Sequence, residues 1–191
     1  MLKQKKGEYG YLDGLKKWNL TKMLIGFGVV LAVLLAGILI FKSRTNYLTV
    51  LSVVLVLPAA KLAVDYICLV PHKPCSEELK LSVEAASKDL SVVYDCVVSN
   101  SKKPIGTQAV VITDSVICAL TNEEKADKKL FETSVCDFLK ADKLNVTVTL
   151  YTDEKTFLNR VKNLSANFEK GNTNCMDRME WNTTSFTQMC L

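Results

Sequence analysis

The chain has 191 residues, 49% of them hydrophobic, and a net charge of +4, but neither the apolar residues nor the charges are spread evenly. Six lysines against Glu8 and Asp13 give residues 1–22 a charge of +4, whereas residues 76–191 carry 14 Lys and Arg against 17 Asp and Glu, or −3. The acidic part lacks the basic footprint of a nucleic-acid binder, and seven cysteines with no C-x-x-C pair and a single His72 do not complete a usual zinc set, so no metal or cofactor is expected.

Residues 1–22 read as a basic and aromatic N-terminal segment, in which Tyr9, Tyr11, Leu12, Leu15 and Trp18 are interleaved with Lys16 and Lys17. Such a segment suits the interface of a bilayer with anionic headgroups, at about 1 kcal/mol per basic residue near the surface. Residues 23–41 follow without a charge; at 1.5 Å per residue they span roughly 28 Å, the thickness of the hydrocarbon layer. No small-residue cleavage site follows, so this first transmembrane helix is expected to stay in the mature chain. Gly28, Ala32 and Ala36 lie four residues apart on it and predict a helix-packing stripe, either against the Ala59, Ala60 and Ala63 region or in a homodimer.

Residues 42–46 form a short external loop, and residues 47–70 a second apolar run broken by Pro58 and containing Lys61 and Asp65. Each ionisable group costs about 2.5–3.5 kcal/mol at the centre of a membrane helix. Lys61 and Asp65 are four apart on one face, so they read either as an intramembrane ion pair or as a helix end whose charges reach the headgroups. The run can cross fully or re-enter. Six lysines before the first span, against Lys42 and Arg44 after it, place the N-terminus inside, and a second crossing then makes the C-terminal domain cytoplasmic. Reduced cysteines agree with that compartment, where the N-x-S/T sites at Asn145, Asn163 and Asn182 carry no sugar.

Residues 71–75, with Pro71 and Pro74, are a linker, and residues 76–170 a small domain. Ser76 caps a helix bearing Leu79, Val83, Ala86 and Leu90 on one face. Three β-branched runs follow at 91–98, 108–113 and 116–120, the last two joined by the turn Asp114-Ser115. Asp95 interrupts the first run; facing a buried side its carboxylate would need a partner and could be a site residue, but on alternating geometry it is expected to point to solvent. Thr121-x-x-Glu124 has the form of a capping box opening a helix to Ala141, residues 145–151 alternate as a half-buried strand, and Asp153 caps a third helix that Gly171 ends. Residues 171–191 read as a polar tail. The fold class is therefore a membrane α-helical hairpin plus a cytoplasmic α/β domain in the order α-β-β-β-α-β-α with a mixed four-stranded sheet.

Over residues 76–152 this order resembles the common core of restriction-endonuclease-like nucleases, including bacterial nuclease-related domains that sit beside transmembrane helices. The resemblance implies a divalent metal between carboxylates and a lysine near the attacking water, in the pattern of an acid followed by E-x-K. Asp114, with Glu123 and Lys125, carries those letters. The family places E-x-K within the third strand, whereas here that strand reads Val116-Ile117-Cys118-Ala119-Leu120 and the motif falls in the first turn of the next helix. The residues favour a non-enzymatic, multi-pass membrane protein that binds another protein or a small ligand at the inner face of a cell membrane. A tethered nuclease and a subunit of a transporter or membrane assembly are the alternatives.

Overall fold

A computed structural model describes residues 4–41, 47–99, 104–124, 126–168 and 173–191. The chain divides into two compact units, Asp13–Pro71 with Met1–Leu2, and Lys3–Leu12 with His72–Leu191.

The first unit holds most of α1 (Tyr11–Phe41) and all of α2 (Tyr47–Leu69), both long and apolar enough to cross a membrane. Helix α1 begins at Tyr11 rather than Met23, so the segment expected at the membrane surface is divided between the α/β unit and the first turns of α1. Among the less exposed positions, Met23, Gly26, Val30, Val33 and Gly37 on α1 and Leu48, Ser52, Leu55, Ala59, Leu62, Tyr66 and Leu69 on α2 recur at intervals of three and four, while Leu34, Ala36, Thr49, Ala63 and Cys68 are also half-buried. This alternation of three and four residues is the spacing of a coiled-coil seam. The close approach falls at Gly26, where an added Cβ would lie 3.1 Å from Leu62 Cδ1 and 3.7 Å from Ala59 Cβ. The predicted stripe lies beside this approach: Gly28 has nothing within 4 Å of an added Cβ, Ala32 is exposed and Ala36 half-buried, while Ala59, one of the partners expected, faces Gly26.

In the second unit α3 (Glu77–Ala86) leads into β1 (Ser91–Val98), β2 (Ile105–Ile112) and β3 (Val116–Leu120), followed by α4 (Lys128–Ala141), β4 (Thr147–Tyr151), α5 (Glu154–Asn167) and α6 (Thr173–Met189). The sheet order is β1-β2-β3-β4. The first three strands form an antiparallel meander and β4 lies parallel to β3, so the sheet is mixed as expected. Helix α4 supplies the crossover that a parallel pair requires.

Each face of the sheet is covered by two helices. Phe131, Val135 and Leu139 of α4 and Phe186 of α6 pack with Val93, Val110, Ile112, Ile117 and Val148 on one face. Leu79 and Val83 of α3 and Phe157 and Val161 of α5 pack with Tyr94, Ala109, Val111 and Cys118 on the other. Ser76 and Asp153 are the predicted N-caps, their side chains accepting from the backbone N–H of Leu79 and Thr156. The two hydrogen bonds from Thr156 hold the Asp153 carboxyl below its usual range.

Two expectations are corrected. Helix α4 does not open at Thr121; its N-cap is Asp127, and residues 121–124 are not helical. Residues 173–189 of the expected tail form α6, which buries Phe186 completely and donates two hydrogen bonds from Asn182 Nδ2 to the carbonyls of Thr113 (2.9 Å) and Asp114 (3.0 Å). Beyond it Cys190 bridges to Val98, and Leu191 N–H donates to Val97 O at 2.9 Å. Gly171, the predicted stop of the third domain helix, lies outside the described residues.

Candidate functional site

Several buried polar groups meet around Asp95, in the middle of β1. Asp95 has φ +54°, in the left-handed region that Asp tolerates better than most residues. The ladder keeps its register across it, Tyr94 facing Ala109 and Cys96 facing Thr107, so no residue is inserted. The phase of the side chains nevertheless changes. Val93 and Tyr94 point into opposite clusters, but Cys96 and Val98 return to the Val93 side, one position out of step with a regular strand.

This turn of the backbone aims the Asp95 carboxylate inward, where it is 1% exposed. Its Oδ2 accepts from Gly10 N–H and its Oδ1 from Cys75 N–H, both at 2.6 Å. One buried carboxylate thus holds the residue before α1 and a residue shortly after α2, which is a role opposite to the solvent-facing one expected. The N-terminal segment is fastened further by Tyr94 N–H donating to Gly7 O (2.8 Å) and Lys6 Nζ donating to Cys190 O (2.9 Å). Gly7 has φ +87°, and an added Cβ would meet Val93 Cγ1 at 2.9 Å, so a glycine is required by both conformation and space.

The linker is fastened beside it. His72 is 2% exposed, with Nδ1 2.6 Å from Glu123 Oε1, and the same oxygen accepts from Gly106 N–H at 3.1 Å. Thr121 Oγ1 donates to Gly106 O, and Gln108 Nε2 to Pro74 O. An added Cβ on Gly106 would stand 2.8 Å from His72 Cβ, Cγ and Nδ1, inside the range real contacts allow. Gly106→Ala is therefore expected to push the His72 segment off the sheet and cost about 1–3 kcal/mol of stability. Denaturant titration reads the cost, and a loss under ~0.5 kcal/mol would show that the segment yields freely.

Burial and hydrogen bonding set the chemistry of the thiols here. Burial, then the nearby Asp95 and Glu154 carboxylates, push the Cys75 thiol up to about 12, so it is a protonated group rather than a nucleophile. A hydrogen bond with Cys190, with burial second, raises the Cys96 thiol well above its usual value. All seven cysteines are free.

The predicted site residues are distributed as follows. Asp114 lies in the β2–β3 turn, where Oδ1 accepts from Ser115 Oγ at 3.2 Å, and Glu123 lies past the opposite end of β3. Five strand residues, roughly 16 Å at 3.3 Å each, separate them. The structure does not bring these two carboxylates together, and Lys125 lies outside the described residues. Among the described residues no group of three His, Cys, Asp or Glu side chains could hold a metal. Lys61 and Asp65 are both exposed on α2, and no ion pair joins them among the described residues. Sequence reasoning missed Gly10, Cys75 and His72 as parts of a site; the only signal was an aspartate inside an apolar strand.

Fold and site together define a four-stranded α/β unit in which Asp95 holds Gly10, before α1 in the sequence, and Cys75, after α2. No family model, curated protein or solved structure matches the chain.

Proposed function

We propose that the protein is a non-enzymatic, membrane-anchored binding protein, whose two apolar helices cross a cell membrane and return so that the α/β unit sits at the inner face. The observation that carries this reading is the Asp95 carboxylate, which accepts from Gly10 and Cys75 on either side of the helical pair. Flanks held by one side chain lie on one side of a bilayer. An even number of passages satisfies that condition, and a single crossing does not.

Two further facts support it. Only 6% of the most apolar window of α1 and 11% of that of α2 is buried within the protein, a pattern that suits lipid contact better than a place in a protein core. Residues before α1 are hydrogen-bonded to β1 and to Cys190, a poor arrangement for a signal peptide that is cut away. Inner-face placement rests on the lysine excess before α1, which also suits anionic headgroups. Exposed Lys61 and Asp65 on α2 mark the surface at which a protein partner or a second copy of the chain would relieve the cost of charge in lipid.

Sidedness is tested with a membrane-impermeant thiol reagent on intact cells. A cysteine introduced by Ser43→Cys is expected to be labelled, and Cys175 only after lysis. Labelling of Cys175 in intact cells overturns the orientation; protection of both until lysis replaces two crossings by a re-entrant pair.

A further inference from the structure

Far from the Asp95 clasp, at the end of the sheet where β3 and β4 begin, a groove of about 230 Å³ opens between the β2–β3 turn, the α4–β4 loop and α6. Asp114 comes from the turn, Lys143 from the loop and Arg178 from α6, with Leu144 and Val146 forming an apolar wall and the buried Asn182 lying one turn beyond Arg178. None of the three charged side chains is ion-paired among the described residues. Both Nδ2 hydrogens of Asn182 are used on the Thr113 and Asp114 carbonyls, which ties the turn to the helix and fixes the spacing across the groove.

Lys143 is the unexpected residue. Helix α4 ends in a Schellman motif, with Lys143 N–H donating to Lys140 O and Leu144 N–H to Leu139 O, both at 2.9 Å. Lys143 takes the left-handed position of that motif with φ +62°, where glycine is the ordinary occupant. A lysine there strains the backbone and sets a cation at the rim of the groove. Strained, non-glycine residues of this kind gather at ligand sites.

We propose that this groove binds a small zwitterion of the α-amino-acid class, its carboxylate taken by Arg178 and Lys143 and its ammonium by Asp114. Two cations alone would accept any small anion. The Asp114 carboxylate in the same groove, bonded to Ser115 Oγ but to no cation among the described residues, repels a plain anion and selects a ligand that carries both charges. Leu144 and Val146 offer an apolar side chain a surface to cover. The assignment deepens the reading of the domain as a binding module; it does not depend on the membrane topology.

The test uses the full-length protein in mild detergent, with the common α-amino acids supplied singly at millimolar concentration, and acetate, ethylamine and inorganic phosphate as controls. The thermal midpoint and the heat of binding are the readouts. At least one amino acid is expected to raise the midpoint while the three controls do not. Arg178→Gln and Asp114→Asn are each expected to weaken binding by about tenfold or more, the usual consequence of losing a charged hydrogen-bond partner. Lys143→Gly separates structure from recognition: it is expected to raise the midpoint of the free protein, because glycine suits the left-handed position, and to weaken the ligand. Three results overturn the proposal: no amino acid binds, acetate or phosphate binds as well, or Asp114→Asn leaves the affinity unchanged. A failure here leaves the thiol-labelling test of membrane anchoring unaffected.

Discussion

Asp95→Ala is expected to destabilise the α/β unit by about 3–5 kcal/mol. Two hydrogen bonds to a charged acceptor contribute roughly 1.5–3 kcal/mol each, and their loss leaves the Gly10 and Cys75 N–H groups without that acceptor. Relief of the buried carboxylate's desolvation offsets part of this, while alanine at φ +54° adds strain that aspartate tolerates better. Asp95→Gly removes both bonds without the strain. Asp95→Asn keeps one acceptor and the left-handed preference, so the losses should rank Ala, then Gly, then Asn. Denaturant unfolding in detergent measures the ranking, and hydrogen exchange should accelerate at both Gly10 and Cys75 in the alanine and glycine variants and at one of the two in the asparagine variant. An alanine variant within ~0.5 kcal/mol of the parent would mean that the flanks are held by other contacts. The consequence for function is specific, since Asp95 is the one side chain shown bonding both Gly10 and Cys75, on either side of the two apolar helices in the sequence.

Ending the chain after residue 172 is expected to abolish cooperative folding of the α/β unit. Without α6, the sheet face carrying Val93, Val110 and Ile112 loses Phe186, and the Asn182 tie to the β2–β3 turn disappears with it. Edge strand β1 also loses the partner that Cys190 and Leu191 provide. The point variant Phe186→Ala should by itself cost about 3–5 kcal/mol, as deletion of a fully buried aromatic ring does. Trp181→Ala, on the same helix but 65% exposed, should change stability by no more than ~0.5 kcal/mol. A truncated chain that still melted cooperatively would show that residues 173–191 are an appendage after all.

Elements carried by local chemistry were legible in the sequence. The two apolar runs announce themselves by length and lack of charge, and the structure forms a helix from each. The helix begun by Ser76, the turn at Asp114 and Ser115, the alternating strand ending at Tyr151 and the cap at Asp153 depend on residues within a few positions of one another. Their caps and periodicity therefore stand in one stretch of sequence. Thr121-x-x-Glu124 has the right letters for a cap, but Thr121 donates to Gly106 O and Glu123 is drawn to His72 and Gly106, so long-range partners override the local preference and the helix starts at Asp127.

The candidate sites show the same division. Asp114, Glu123 and Lys125 are close in sequence, yet strand β3 extends between the first two and holds them apart, because a strand converts five residues into its full length. Gly28, Ala32 and Ala36 keep a helical spacing of four, but the packed seam follows the three-and-four alternation through Gly26, which faces Ala59 and Leu62. Composition, segment charge and periodicity determined by themselves that this chain has two apolar helices and a mixed α/β unit, because those properties are additive along the chain. Tertiary structure alone decided that Asp95 binds residues 85 positions before it and 20 positions before it in the chain, and that Asp114, Lys143 and Arg178 share a groove. Such sites are made by the closure of distant segments, and no local property of a residue records which distant segment it will meet.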